Sequence, residues 1–212
     1  KLQDRILHGR YEPGSILNEQ ALAEEFSVSR TPMRTVLFRL EWEHLVKILP
    51  RTGILVTELE LNRIMNVYQA RLELEDVIGR MAAKRVATNH FDRLKRLAVK
   101  CEALMDRKDP RALADIDRSI KSVFHDAAAN PYLTETSERL YALTFRLWYF
   151  NMIQMDTDEW NREIIAVKQE LTDLSSILAG KEPAAVGQTR RQHLKDHLER
   201  IRAKFFSLTD SL

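Results

Sequence analysis

The sequence is short of the residues that would place it in several common protein classes. It contains a single cysteine, Cys101, so no disulfide can form within the chain and a reducing compartment, the cytoplasm, is expected. Glycine and proline occur only six times each, which disfavours a low-complexity or fibrous protein. No apolar run reaches the roughly 20 residues of a membrane-spanning helix. These absences leave a helix-rich globular protein that does not enter a membrane.

The chain also lacks a marked excess of charge of either sign. Its 33 Lys and Arg residues nearly balance 31 Asp and Glu residues, which gives a formal net charge of +2. A basic, nucleic-acid-binding coat over the whole surface is therefore excluded, and any such surface must be local. Residues 30–51 hold a local surplus of three positive charges. The length of 212 residues suits one large domain or two small ones.

Residues 19–41 predict two short helices joined by a tight turn. Ser29 is a favourable N-cap for the second helix, so the start of that helix can be exposed. Two interpretations stay open for this segment alone: the recognition helix of a helix-turn-helix, or an ordinary helical hairpin with a solvated basic face. Helical spacing assigns Met33, Val36, Leu37 and Leu40 to the buried face and Arg30, Thr31, Arg34 and Thr35 to the exposed one.

A β-hairpin is predicted directly after these helices. Residues 45–50 form a β-like run, Arg51, Thr52 and Gly53 form a turn, and residues 54–56 return as a second strand. A helix, a helix-turn-helix and a hairpin in this order are typical of a winged helix. Its basic tip is expected near the minor groove of DNA, and its recognition helix in the major groove.

The rest of the chain predicts helices only. A Thr57–Glu60 capping box is expected to open the first of these helices, and residues 57–60 are the candidate hinge. Six helices with short connections favour an antiparallel bundle. The predicted fold is therefore mainly α, with a winged helix-turn-helix in residues 1–57 and an antiparallel all-helical bundle in residues 58–212. Further boundaries are predicted at Asn89, Lys108, Asp109-Pro110, Asn130-Pro131, Thr157, Gly180 and Glu182-Pro183.

The motifs of the first region resemble those of a known family. The pattern L-A-x-x-F-x-V-S-R-T-P-x-R-x-x-L-x-x-L-E runs from Leu22 to Glu41, and P-R-x-G follows in the hairpin. Residues 6–56 thus resemble the N-terminal domain of the GntR family of bacterial transcription regulators. The resemblance implies double-stranded operator DNA as the partner. With the wing tip, the expected DNA-binding residues are Gln20, Arg30, Thr31, Arg34, Arg51, Thr52 and Gly53. Gln20 departs from the family, which often has Arg there.

The helical region resembles the effector-binding (FCD-like) domain of the FadR-type subgroup of that family. The resemblance implies a bundle cavity, into which the residue matching Arg71 often points. Many members hold a divalent metal there, bound by an Asp, a His one turn later and two further His residues. This sequence retains His125 and His193. Lys121 stands at the Asp position, and Glu170 stands at or beside the position of the middle His. The expected effector-binding residues are Arg71, Lys121, His125, Glu170 and His193.

The two departures from the family pattern suggest a pocket without a metal. An ammonium group repels a cation, so we hypothesise that a Lys121–Glu170 pair replaces the ion and that no cofactor is bound. The alternative is a zinc or nickel ion held by His125, Glu170 and His193.

The function expected from these features is that of a ligand-responsive transcription regulator. It would act as a repressor, bind a palindromic operator as a homodimer and respond to a small metabolite such as an organic acid. One alternative is a constitutive DNA-binding regulator whose helical domain only dimerises. A metal-dependent enzyme is disfavoured, because no nucleophile–base pair is evident near the polar residues.

Overall fold

The computed structural model describes the backbone of residues 1–209 and the side chains of residues 1–203. Two compact units are distinguished: residues 1–67 together with 141–150, and residues 68–140 together with the chain from Asn151 onward. In order, the elements are α1 (Leu2–Leu7), β1 (Ile16–Leu17), α2 (Glu19–Glu25), α3 (Arg30–Trp42), β2 (Val46–Leu49), β3 (Gly53–Val56), α4 (Leu61–Ala83), α5 (Thr88–Glu102), α6 (Pro110–Ala128), α7 (Pro131–Gln154), α8 (Thr157–Gly180) and α9 (Pro183–Thr209).

The predicted helix-turn-helix is present as α2 and α3. Asn18 caps α2, since its side-chain oxygen accepts hydrogen bonds from the backbone N–H groups of Gln20 and Ala21. Met33, Leu37 and Leu40 of α3 are buried as expected. Val36 is not, because its side chain is 42% exposed. Ser29 precedes α3 at the N-cap position, but its side chain makes no capping hydrogen bond.

The predicted hairpin is present and belongs to a sheet of three antiparallel strands. The strand order is β1-β3-β2, and Val46 and Leu49 of β2 face Val56 and Gly53 of β3. Strand β1 was not predicted, because two residues are too few to show an alternating pattern. Gly53 has φ of +137°, and a Cβ atom there would lie 2.7 Å from the carbonyl oxygen of Leu17. The close approach of β1 therefore requires glycine at this position.

The segment 141–150 of α7 holds the end of the wing in the first unit. Arg146 donates hydrogen bonds to the hydroxyl and the carbonyl oxygen of Thr57, at 2.9 and 2.7 Å. The Thr57 hydroxyl in turn donates to the carbonyl oxygen of His44. Thr57 is thus engaged elsewhere, and α4 begins at Leu61 rather than at the expected capping box. The proposed domain boundary between residues 57 and 58 stays a prediction.

The second unit confirms most of the predicted helix boundaries. Asp109 and Asn130 cap α6 and α7, each followed by proline in the first turn. Helix α5 begins at Thr88 and ends at Glu102, several residues before the expected Lys108. The chain turns there, and the Trp160 indole N–H donates to the carbonyl oxygen of Leu104 at 2.8 Å. No helix of residues 1–209 is long and apolar enough to cross a membrane.

Candidate functional site

A groove of about 530 Å³ lies between α3 and the wing in the first unit. Its apolar walls come from α3 and from the strands β2 and β3. Thr31 lies outside the lining and is exposed in the first turn of α3. The other six predicted DNA-binding residues line the groove: Gln20, Arg30, Arg34, Arg51, Thr52 and Gly53.

Helix α2 holds the two arginines of the recognition helix. Arg30 Nη2 donates to Oε1 of Gln20 at 2.5 Å, and Arg34 Nη2 lies 3.1 Å from Oε1 of Glu19. The side chain of Arg34 is still 61% exposed. Both guanidinium groups are therefore oriented at the groove and remain open to an incoming acceptor. Glu19 is a built-in competitor for any phosphate that binds Arg34.

The wing tip presents a cation at the other side of the groove. Arg51 is exposed and adopts a left-handed conformation, with φ of +66°. The Thr52 hydroxyl donates to the carbonyl oxygen of Pro50 at 3.5 Å. Gly53 is required by the sheet, as described above, whether or not DNA approaches it. Arg51 is thus the wing side chain best placed to neutralise a phosphate.

A second concentration of charge lies inside the helical unit. The carboxylate of Glu75 on α4 accepts from Lys121 Nζ of α6 at 2.7 Å and from Arg190 Nη2 of α9 at 2.6 Å. All three residues are buried, with exposed fractions of 2%, 3% and 6%. One carboxylate thus bridges two cations that come from different helices.

The environment fixes the charge states of this cluster. Burial raises the pKa of Glu75, but Lys121, Arg190 and Arg71 together outweigh it and hold the pKa well below its usual range. Burial lowers the pKa of Lys121, and Glu75 only partly compensates. Glu75 is consequently ionised at neutral pH.

On the α7 side, Ser137 extends the cluster towards His125. Its hydroxyl oxygen lies 3.2 Å from Lys121 Nζ and 3.1 Å from His125 Nε2. The other ring nitrogen of His125 lies 3.2 Å from a carboxylate oxygen of Glu138. Both nitrogens of His125 are therefore occupied by protein groups.

On the α8 side, Glu170 extends the cluster towards His193. Glu170 Oε1 lies 3.3 Å from Arg190 Nη1, and His193 Nε2 lies 3.3 Å from Asp173. Burial raises the pKa of Glu170 to about 7 and lowers that of His193. Among the described residues, Arg190 Nε and His193 Nδ1 are buried without a hydrogen-bond partner. Two polar atoms of this side are therefore available to a bound molecule.

Comparison with known proteins assigns the chain to a family. The model of the gntR family of bacterial regulatory proteins matches residues 1–56, and the FCD domain model matches residues 66–200. The chain belongs to the GntR family. Its relatives in this family are transcription regulators, so DNA-binding transcription regulation is the function class of this GntR chain.

Several relatives match the chain over different lengths. The transcriptional repressor RspR of Escherichia coli (strain K12) is 24% identical over 201 residues, 95% of this chain and 86% of that protein. The gluconate operon transcriptional repressor of Bacillus subtilis (strain 168) is 41% identical over 78 residues, 37% of this chain and 32% of that protein. The solved structure of E. coli McbR/YncC has the same fold, with a TM-score of 0.83, 19% identity and coverage of 96% and 94% of the two chains.

All five predicted effector-binding residues of this GntR chain lie in the helical unit, but their pairing differs from the expected one. Lys121 has Glu75 as its carboxylate partner, whereas Glu170 is bound by Arg190. The hypothesised Lys121–Glu170 pair is therefore corrected. Arg71 is buried and acts on Glu75 through its charge. Glu75 takes the role expected of Glu170 because it projects from α4 between α6 and α9.

The residues expected to hold a metal do not converge on one point. His125 contacts Ser137 and Glu138, and His193 contacts Asp173 and Glu170. Within the part of the chain whose side chains are described, no three His, Cys, Asp or Glu residues could hold a metal ion together. The ammonium of Lys121 also stands beside His125 through Ser137. These residues do not fit a cation site.

Sequence reasoning missed Arg190 and Ser137 and treated Glu75 as a neighbour of Arg71 only. A signal for Arg190 was present, because Val186, Leu194 and Leu198 bury one stripe of α9 and Arg190 lies on that stripe. Glu75 similarly lies on the buried stripe of α4. A charged residue at a core position needs a buried partner, so this pattern predicts an ion-pair network.

Proposed function

We propose that this GntR-family chain is a cytoplasmic repressor that binds a palindromic operator as a homodimer and responds to a small organic acid. The observation that carries the DNA-binding part is the groove beside α3. It assembles Gln20, Arg30, Arg34 and Arg51, four side chains suited to DNA, on a chain whose net charge is only +2. The basic surface is therefore concentrated where a winged helix meets DNA.

The groove residues match the chemistry of DNA edges and phosphates. An Arg guanidinium binds O6 and N7 of guanine with two hydrogen bonds, and a Gln amide binds N6 and N7 of adenine. Arg30 and Arg34 supply the first chemistry and Gln20 the second. One short recognition helix reads few base pairs, so a homodimer on two half-sites supplies the missing specificity.

Substitution of Arg34 tests this assignment. The full chain would first be used to select operators from a randomised duplex library, and binding would then be measured by fluorescence anisotropy. Arg34→Ala should weaken binding about tenfold or more, because a charged contact in each half-site is lost. Arg39→Ala is the matched control, since Arg39 lies on the same helix and pairs with Glu43 at 2.9 Å. Equal affinity of the Arg34 variant and the unmodified protein would contradict the proposal.

The effector assignment is supported by the charges of the buried cluster. Lys121, Arg190 and Arg71 are three cations, against the ionised Glu75 and a Glu170 whose pKa burial raises to about 7. The unpartnered Arg190 Nε adds a donor. A carboxylate would complete this set. If it binds one dimer geometry better than another, the spacing of the two winged helices shifts with effector concentration.

A thermal-shift series with small carboxylates and sugar acids tests the effector. A ligand of the folded state raises the unfolding temperature by mass action. The rise should be lost in Lys121→Met if the cluster is the binding site. A ligand that stabilises this variant equally would bind elsewhere.

One observation favours the alternative of a constitutive regulator whose helical domain only dimerises. Glu75 already satisfies both Lys121 and Arg190, so the centre of the cluster is a closed network. In that case no carboxylate would change the unfolding temperature or the affinity for the selected operator.

We further propose that the cluster binds no metal and catalyses no reaction. Lys121 repels a cation, and His125 is engaged by Ser137 and Glu138. Elemental analysis of tag-free protein should find less than one equivalent of zinc or nickel. One equivalent that disappears in His125→Ala would overturn the metal-free assignment.

A further inference from the structure

The recognition helix carries a large apolar side chain on its outward face. Phe38 is 56% exposed, although the fold of α3 needs only Met33, Leu37 and Leu40 for its buried face. Phe38 lines the groove beside α3 together with Arg30 and Arg34. An exposed phenylalanine among basic groove residues calls for a partner that offers both phosphate charge and an apolar group.

Helical geometry places Phe38 in the row of the expected base readers. Residues four apart on a helix lie above one another, so Arg30, Arg34 and Phe38 form one row along α3. The buried residues Met33, Leu37 and Leu40 occupy another face. Phe38 therefore faces whatever Arg34 faces, about one helical turn further along.

The major groove of DNA offers one apolar group, the C5-methyl of thymine. We infer that Phe38 is a specificity-determining residue that packs its ring on a thymine methyl in each half-site. The rise of about 6 Å over four helical residues corresponds to roughly two base pairs. The thymine is therefore expected within two base pairs of the base bound by Arg34. This inference rests on the proposed operator binding.

Replacement of thymine by deoxyuridine tests the contact, because it removes the methyl and keeps every hydrogen-bonding group. The full chain would select duplexes from two randomised libraries, one with thymine and one with deoxyuridine. The thymine library should yield a thymine at one fixed position of each half-site. The preference should vanish in the deoxyuridine library. Replacing that thymine in a single operator should weaken binding about fourfold for each half-site, the effect of burying one methyl group.

Variants of Phe38 complete the test. Phe38→Gln should lose the thymine preference and bind thymine and deoxyuridine operators equally, whereas Phe38→Leu should keep part of the difference. Val36→Ala is the matched control, since Val36 is 42% exposed on α3 but does not line the groove. Thermal unfolding of each variant would verify that the winged helix is folded.

The outcomes separate the inference from the proposed function. If the unmodified chain enriches no sequence from either library, operator binding itself is wrong. If it enriches the same motif from both libraries, or if Phe38→Gln weakens thymine and deoxyuridine operators to the same extent, Phe38 does not read the methyl. The second result would place the ring on a deoxyribose instead and would overturn the inference.

Discussion

Glu75 is the single residue on which the charge balance of the helical unit depends. Its two carboxylate oxygens are bound separately by Lys121 and Arg190, at 2.7 and 2.6 Å. Glu75→Gln would leave two buried cations without a counter-charge. We expect the free energy of unfolding to fall by about 3–5 kcal/mol, the range for breaking a buried ion pair. Urea denaturation at neutral pH measures this change.

An exposed glutamate on the same helix is the control for Glu75. Glu73 pairs with Arg191 at 2.6 Å, but its side chain is 68% exposed. Glu73→Gln should leave the free energy of unfolding almost unchanged, because solvent screens exposed pairs. Equal losses in both variants would show that Glu75 contributes no more than a surface ion pair.

Glu170 makes stability depend on pH in the opposite sense to an ordinary paired carboxylate. Burial raises its pKa from 4.5 to about 7, so the folded protein binds its proton more tightly than the unfolded chain does. Its contribution is therefore most favourable below about pH 4.5 and declines as pH rises through 7. Glu170→Gln should flatten the curve of unfolding temperature against pH and remove a change of roughly 1–3 kcal/mol.

The control for this pH effect is Glu102, which is 61% exposed and pairs with Lys168 at 2.7 Å. Glu102→Gln should keep the slope of the unmodified protein between pH 5 and pH 7, a window of roughly two units around the shift. If Glu170→Gln also keeps the slope, Glu170 titrates near its ordinary value and another group is responsible.

At the scale of elements, local signals predicted what local interactions decide. Asp109-Pro110 and Asn130-Pro131 marked two helix starts, because a side-chain cap and a proline act within a few residues. The misses have non-local causes. Strand β1 exists only by pairing with β3, and Thr57 is withdrawn from its capping role by His44 and Arg146. The partner of Lys121 likewise depends on which helices pack together.

The crossing of α4 and α9 is the packing contact that positions Glu75 near Arg190. A Cβ atom on Gly79 would lie 2.9 Å from the Cα of Gly187, and one on Gly187 would lie 2.7 Å from the carbonyl oxygen of Asp76. Gly187→Ala should therefore push the two helices apart. We expect a loss of about 1–3 kcal/mol in the free energy of unfolding, as for other overpacked cores.

Gly180 provides the comparison for Gly187, because a Cβ atom there would have no neighbour within 4 Å. Gly180→Ala at the end of α8 should leave the unfolding temperature equal or slightly higher, since alanine restricts the unfolded chain. A stable Gly187→Ala protein would show that the α4–α9 crossing adjusts without cost and does not set the position of Glu75.

At the scale of the whole molecule, attraction to DNA cannot come from net charge. The chain carries only +2, and its relevant cations are Arg30, Arg34 and Arg51 at the groove. A homodimer presents each of them twice. If all six neutralise phosphates, the logarithm of the binding constant should fall with the logarithm of salt concentration with a slope of about −5.

Removal of the wing-tip cation should change that slope in a countable way. Arg51→Ala deletes one phosphate contact from each protomer of the proposed dimer, so the slope should shrink in magnitude by about two. Lys47→Ala is the control on the same wing, because Lys47 is exposed on β2 and does not line the groove. Anisotropy titrations of the selected operator at several salt concentrations measure both slopes. An unchanged slope for Arg51→Ala would mean that the wing tip does not contact phosphate, and a decrease of about one would mean that a single winged helix binds.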